Sequence, residues 1–169
     1  MPKTILILDD DVHLAKALEL EFEDHGYAPV RATSISQIPK QAFAYALVDI
    51  RLVGEFGLNA IEKLKQFSPH CKIVVLSGYA SVATTVEAIK RGAINCLVKP
   101  ASFSQIEAAF HDAPPTLNEK TKLRPPSLTQ IQNEYIDYVL IQNEGNISKT
   151  AKDLGIHRQS LQRKLKKHS

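Results

Sequence analysis

Asp9, Asp10, Asp49, Ser77 and Lys99 are the residues whose types and placing could do chemistry, because each stands at the end of an apolar run. Asp9 follows Ile5-Leu6-Ile7-Leu8, Asp49 follows Tyr45-Ala46-Leu47-Val48, Ser77 follows Ile73-Val74-Val75-Leu76, and Lys99 follows Leu97-Val98. Three carboxylates, a hydroxyl and an ammonium brought together make a site for a divalent cation and a phosphoryl group. A carboxylate attacks a phosphoryl group only when the charge it meets is neutralised. Asp9 and Asp10, one strand from Asp49, offer oxygen ligands for Mg²⁺, a hard cation that takes one or two carboxylates plus phosphate oxygens. Ser77 can donate a hydrogen bond to the phosphoryl group. Lys99 can pair with a phosphoryl oxygen, or with Asp49 when the site is empty. Without metal, clustered carboxylates repel, and at least one should have a raised pKa. A lone Asp at a strand end is more simply a helix N-cap, a role open here to Asp10 or Asp11. Capping does not explain the joint placement at four strand ends.

Short continuous apolar runs are what strands buried on both faces look like, which means a parallel sheet with helices on each side. In such sheets the residues just past the carboxyl ends of the strands converge on one crevice. Strands are expected at 4–9, about 28–31, 45–49, 72–77 and 94–98. Leu14, Leu18 and Phe22 mark a first helix ending near Gly26, and a weak second helix around 34–41 is interrupted by Pro39. Leu58, Ile61 and Leu64 give a third, stopped by Ser68-Pro69; Val82, Val86 and Ile89 give a fourth, ending at Gly92; Phe103, Ile106 and Phe110 give a short fifth. Five alternating units predict an α/β fold, a doubly wound five-stranded parallel sheet with right-handed crossovers.

That domain is expected over residues 1–112. Ala113-Pro114-Pro115 and Arg124-Pro125-Pro126-Ser127 then frame a semi-rigid, proline-rich linker over 113–127. From 128 to 169 the pattern is purely helical: a helix over about 128–143, a stop at Gly145-Asn146, then two short helices. The charge divides in the same way. Residues 1–113 hold 11 Lys/Arg against 13 Asp/Glu, a net of −2, whereas residues 114–169 hold 10 against 5, a net of +5. A basic tail on a neutral-to-acidic body suggests a polyanionic partner for the tail. No apolar stretch is long enough for a membrane span, and the apolar run near the N-terminus is too short for a signal-peptide core. Two cysteines, Cys71 and Cys96, make no disulfide framework, so a reducing cytosol is expected.

In the tail, Asn146 or Ser148 can cap a helix ending at Gly155, and Ala151, Gly155 and Leu161 match the spacing of a helix-turn-helix. Ile156, Leu161 and Leu165 fit the buried side of its second helix. The exposed side carries His157, Arg158, Gln159, Ser160, Gln162, Arg163 and Lys164. A second helix of this kind lies in the major groove with its N-terminal residues nearest the base edges. Arg158 and Gln159 are therefore the candidates for base contacts, and Ser160, Arg163, Lys164, Lys166 and Lys167 for phosphates.

Residues 1–112 resemble response-regulator receiver domains in the phrases Ile5-Leu-Ile-Leu-Asp-Asp-Asp11, Val48-Asp-Ile-Arg-Leu52, Val75-Leu-Ser-Gly-Tyr79 and Gly92-Ala-Ile-Asn-Cys-Leu-Val-Lys-Pro100. The resemblance implies a flavodoxin-like sheet of order 2-1-3-4-5, with Asp49 accepting phosphate from a sensor histidine kinase. It implies that Asp9, Asp10, Asp49 and the Arg51 backbone carbonyl hold Mg²⁺, that Ser77 and Lys99 contact the phosphoryl group, and that the peptide bond before Pro100 is cis. Residues 128–169 resemble the Fis-type helix-turn-helix in Gly145-Asn146, Ala151, Leu154-Gly-Ile156 and Leu161-Gln-Arg-Lys-Leu165. That likeness implies double-stranded DNA and a homodimer as partners; Ile131, Tyr135, Ile136, Val139 and Leu140 suit such an interface or the domain's own core. A receiver, a proline-rich linker and a minimal Fis-type tail together resemble the global regulators of the PrrA/RegA/ActR type.

Two positions depart from the receiver pattern. Val53 replaces a customary proline, which predicts a looser loop over 53–57. Cys96 replaces the Tyr or Phe that swings inward on phosphorylation, so the switch must rely on other groups (Tyr79 among them) or on loop and helix shifts. Cys96 itself is expected to be a small buried residue rather than a redox sensor. The reading is a bacterial, cytoplasmic, phosphorylation-controlled transcription regulator. It is not an enzyme beyond slow autodephosphorylation. A Mg²⁺-dependent aspartyl phosphohydrolase would need a carboxylate where this chain has Arg51. A DNA-architectural or regulatory protein with a phosphate-independent receiver is the other alternative, kept open by Val53 and Cys96.

Overall fold

A computed structural model describes residues 3–78, 82–111 and 127–167. Tyr79 and nearly all of the expected linker lie outside the described residues, as does the Lys167 side chain. The apolar runs form β1 (Lys3–Leu8), β3 (Tyr45–Asp49), β6 (Lys72–Ser77) and β7 (Asn95–Val98), with β2 (Tyr27–Ala32) at one edge. The sheet order is β2-β1-β3-β6-β7 and every pairing is parallel. Ignoring the two short strands described below, this is the expected 2-1-3-4-5 order.

Alternation along each strand divides the core between the two faces. Leu6, Leu8, Val48, Val75 and Cys96 pack on the side of α2 (Asn59–Phe67) and α3 (Val82–Lys90). Ile5, Ile7, Leu47, Val74 and Leu97 pack under α1 (Val12–Asp24) and α4 (Phe103–Phe110). Burying each such side chain stabilises the fold by about 1.5–3 kcal/mol, so the sheet holds its carboxyl ends in fixed register. Asp11 accepts hydrogen bonds from the His13 and Leu14 amides and caps α1, which leaves Asp9 and Asp10 free of that duty.

The chain departs from expectation in two places. Residues 34–41 make a single 3₁₀ turn, Ile35–Gln37, rather than a helix; Pro39 has no N–H with which to continue one. Residues 53–57, expected as a looser loop, are instead drawn into a two-stranded antiparallel hairpin of β4 (Arg51–Leu52) and β5 (Glu55–Phe56).

The C-terminal segment forms α5 (Leu128–Gln142), α6 (Ile147–Asp153) and α7 (Arg158–Lys167). Ser127 caps α5 in a reciprocal box with Gln130, and the Asn146 side chain accepts from the Lys149 amide to cap α6. Ile147, Ala151, Leu161 and Leu165 are buried together, and Ile156 packs against them half-buried. Of the five α5 positions that suit either an interface or a core, Ile136 and Leu140 are buried, whereas Ile131 and Tyr135 are exposed. The buried set is continuous with the core on the α2–α3 face of the sheet.

Gly57 ties the hairpin to the sheet. Its N–H donates to the Ile50 carbonyl at 2.7 Å, and a Cβ there would stand 1.8 Å from the Asp49 carbonyl oxygen. Backbone must move to admit any side chain. Gly57→Ala is expected to lower stability by about 3 kcal/mol in denaturant titration; an unchanged midpoint would show that the hairpin is not seated on β3.

Candidate functional site

The carboxyl ends of β1, β3 and β7 bring Asp9, Asp10, Asp49 and Lys99 together. Asp9 and Asp49 are buried, Asp10 is half-buried, and one carboxylate oxygen from each lies within 4.8 Å of the others. The Lys99 ammonium reaches across the sheet to donate to Asp9 Oδ2 at 2.8 Å and Asp49 Oδ2 at 2.9 Å. Ser77 is buried at the end of β6, and its carbonyl accepts the Lys99 amide at 2.7 Å. The Lys99–Pro100 peptide bond is cis.

The hairpin closes this crevice from one side. The Arg51 amide donates to Asp49 Oδ1 at 3.2 Å, and the Val53 amide donates to Asp10 Oδ2 at 3.1 Å. The other oxygen of Asp10, Oδ1, is buried without a hydrogen-bond partner. A buried carboxylate oxygen left unpaired is costly, and the three carboxylates gathered here are the hard-oxygen donor set of a divalent cation. The residues fit such an ion.

Electrostatics follow from the crowding. Burial pushes the Asp49 carboxyl up to about 6, with Asp9 adding to the rise and Lys99 opposing it. Burial and the Asp9 charge likewise raise Asp10. Burial disfavours the Lys99 ammonium, but Asp49 and then Asp9 outweigh it and raise its pKa. Burial is the main cause of the Asp49 and Asp10 rises, and the expected repulsion adds to it through the Asp9 charge. Cys96 is buried on β7 and its thiol is pushed up to about 11 by that burial, which removes the thiolate a redox sensor requires.

On α7, His157 just before the helix and Arg158, Gln159 and Arg163 within it are exposed, whereas Ser160, Gln162 and Lys164 are half-buried. The Lys164 ammonium donates to Gln132 Oε1 on α5 at 3.1 Å. Gln159 and Arg163, together with Lys166, face Asp10, Arg51 and Val53 across a cavity of about 570 Å³.

One buried ion pair escaped the sequence reading. The Arg51 guanidinium makes an ion pair with Asp137 of α5, both side chains being buried. The residues are 86 positions apart. The available signal was local: Asn133, Asp137 and Leu140 repeat on one buried side of α5, and a carboxylate on such a stripe demands a cation.

A family model described as "Response regulator receiver domain" matches residues 5–111, and one described as "Bacterial regulatory protein, Fis family" matches residues 127–168. "Photosynthetic apparatus regulatory protein RegA" of Rhodovulum sulfidophilum is 37% identical, over 98% of this chain and 92% of that protein. "Acid tolerance regulatory protein ActR" of Rhizobium meliloti is 34% identical, over 99% of this chain and 88% of that protein. Among solved structures, a response regulator protein from Burkholderia pseudomallei is 36% identical with a TM-score of 0.61, over 95% of this chain and 97% of that one. That crystal structure holds a phosphorylated aspartic acid, a calcium ion and citrate.

The raised Asp49 carboxyl has a measurable consequence. Its ionisation penalises the folded state progressively as pH climbs from the ordinary carboxylate range to about 6, and fully above that. With divalent cations chelated, Asp49→Asn is expected to stabilise the protein at neutral pH by up to about 3 kcal/mol, an advantage that fades toward pH ~4. Thermal melts across that range test this. A variant less stable than wild type at neutral pH would contradict the strain assigned to Asp49.

Proposed function

We propose, for a chain that belongs to the response-regulator family and is a phosphorylation-controlled DNA-binding regulator of transcription, that Asp49 accepts the phosphoryl group and α7 reads the DNA. The carrying observation is Asp49 itself: buried at the end of β3, bonded to Lys99 and the Arg51 amide, and clustered with the Asp9 and Asp10 carboxylates. Asp9, Asp10, Asp49 and the Arg51 carbonyl are proposed as the Mg²⁺ ligands. Bound there, the ion offsets the negative charge that gathers as phosphate approaches.

The chain's own groups do the rest. One Asp49 oxygen forms the new O–P bond as the N–P bond of a kinase phosphohistidine breaks, and the imidazole leaves. Lys99, already positioned between Asp9 and Asp49, turns its ammonium to a phosphoryl oxygen. Ser77, buried at the neighbouring strand end, donates its hydroxyl to another. Arg51, held against Asp137, offers no carboxylate at the position where a phosphohydrolase needs an acid–base group. This supports a phosphoacceptor over an enzyme.

For the output, His157, Arg158, Gln159, Ser160, Arg163, Lys164 and Lys167 are the proposed DNA-contacting set, with Arg158 and Gln159 nearest the base edges. A homodimer is supported by α5, where Leu128, Ile131, Tyr135 and Tyr138 form an exposed apolar stripe at helical spacing, Leu128 being 86% exposed. The proposed division is a receiver at 1–112, a linker at 113–127 and the DNA-binding domain at 128–169. No helix among the described residues is long and apolar enough to cross a membrane, in keeping with a cytoplasmic site of action on bacterial DNA.

Acetyl phosphate with Mg²⁺ is expected to label wild type and not Asp49→Asn on phosphate-affinity gels; equal labelling would sink the assignment. Arg158→Ala should weaken binding to a cognate duplex by about 1–3 kcal/mol while leaving random-sequence DNA nearly unchanged. Loss that is uniform across sequences would move Arg158 to the phosphate-contacting group.

A further inference from the structure

Arg51 belongs to both halves of the molecule. Its amide holds Asp49 Oδ1, and two residues on the Val53 amide holds Asp10 Oδ2. Its guanidinium leaves the crevice and pairs with Asp137 on α5, where the two side chains are 5% and 2% exposed. At the other end of the hairpin, Phe56 lies so close to Gly145 that a Cβ on that glycine would meet the Phe56 Cβ at 2.6 Å. Between these contacts, Gln159, Arg163 and Lys166 of α7 face Asp10 and Val53 across the cavity. All three side chains are among the DNA-contact candidates, and the cavity that separates them from the hairpin, about 570 Å³, is far too small to admit a duplex.

We propose that Arg51 is the positioning residue that couples the crevice to the DNA-binding domain, its ion pair with Asp137 latching α7 over the acidic cluster until loading of the crevice draws the hairpin away. The inference rests on the phosphoacceptor reading of Asp49. It supplies the output route that Cys96, lacking an aromatic ring, cannot provide.

The physical case is that a buried ion pair has two good states and no intermediate one. Paired in a dry interface, each charge satisfies the other; separated into water, each is solvated; half-separated while still buried, both are penalised. Metal and phosphoryl loading must rearrange Asp49 and Asp10, and the amides those carboxylates hold are the main chain of the hairpin. A small displacement there misaligns the pair, and the interface then opens as a unit. The charges act in the same sense. The crevice's own side chains are three carboxylates against one ammonium, a net negative charge that attracts Arg163 and Lys166 of α7; a divalent cation held there would cancel that attraction.

The test uses the full-length unphosphorylated chain with Arg51→Ala, with Asp137→Ala and with both. Affinity for a short random-sequence duplex is read by fluorescence anisotropy, and the radius of gyration by small-angle X-ray scattering. Each single variant is expected to bind DNA about tenfold more tightly than wild type and to have a larger radius, and the double variant should gain no more than either single. Arg51→Ala leaves the DNA-binding domain untouched in sequence, so a gain there cannot come from altered helix-turn-helix packing. Acetyl phosphate with Mg²⁺ should give wild type a similar gain and the variants little more. Unchanged affinity and radius in Arg51→Ala would overturn the latch. So would a gain confined to Asp137→Ala, fully additive gains, or labelled wild type whose DNA affinity does not rise. The unphosphorylated comparisons do not depend on Asp49 chemistry, so failure of the latch and failure of the phosphoacceptor assignment give different results.

Discussion

Three carboxylates cannot be packed within 4.8 Å of one another at the end of a dry sheet without something holding them there. Lys99 does so, bridging Asp9 and Asp49 from the far strand. The surrounding features are consistent with that requirement. The doubly wound sheet fixes the strand ends in register, Asp11 takes over helix capping, and Gly57 lets the hairpin seat close enough for its amides to serve the same carboxylates. The hydrophobic core provides the free energy that allows such a site to stay strained and ready for an ion.

What was legible in the sequence is what depends on local pattern. Buried strands are continuous apolar runs, so β1, β3 and β6 and the polar residue ending each could be read directly. The helix-turn-helix was legible because Asn146, Ala151, Gly155 and Leu161 meet spacing rules within one short segment. Residues 34–41 were harder: the pattern was helical in part, but Pro39 limits it to one turn. The hairpin was missed because its strands are two residues long, too short for any periodicity. Its order comes from amides bonded to Asp49 and Asp10, which are tertiary contacts.

The Arg51–Asp137 pair marks the boundary most clearly. Arg51 was assigned a role for its carbonyl alone, and Asp137 none. No one-dimensional pattern joins positions 86 residues apart. Cys96 shows the reverse case. Its departure from the aromatic pattern was evident in the sequence, and its burial on β7 pushes the thiol up to about 11. The alternative path through the hairpin could be found only in three dimensions.

The seating of α5 also bears on how such proteins can be inherited. Receivers and DNA-binding tails are often treated as interchangeable parts joined by linkers. Here a charge on each part is buried against the other, and leaving either without its counterpart costs about 3–5 kcal/mol whenever the parts dock. A receiver of this kind grafted onto a foreign tail would therefore carry an orphaned guanidinium into the joint. Positions 51 and 137 should travel through evolution as one unit, and recombination between the two parts should be tolerated only between chains that share both.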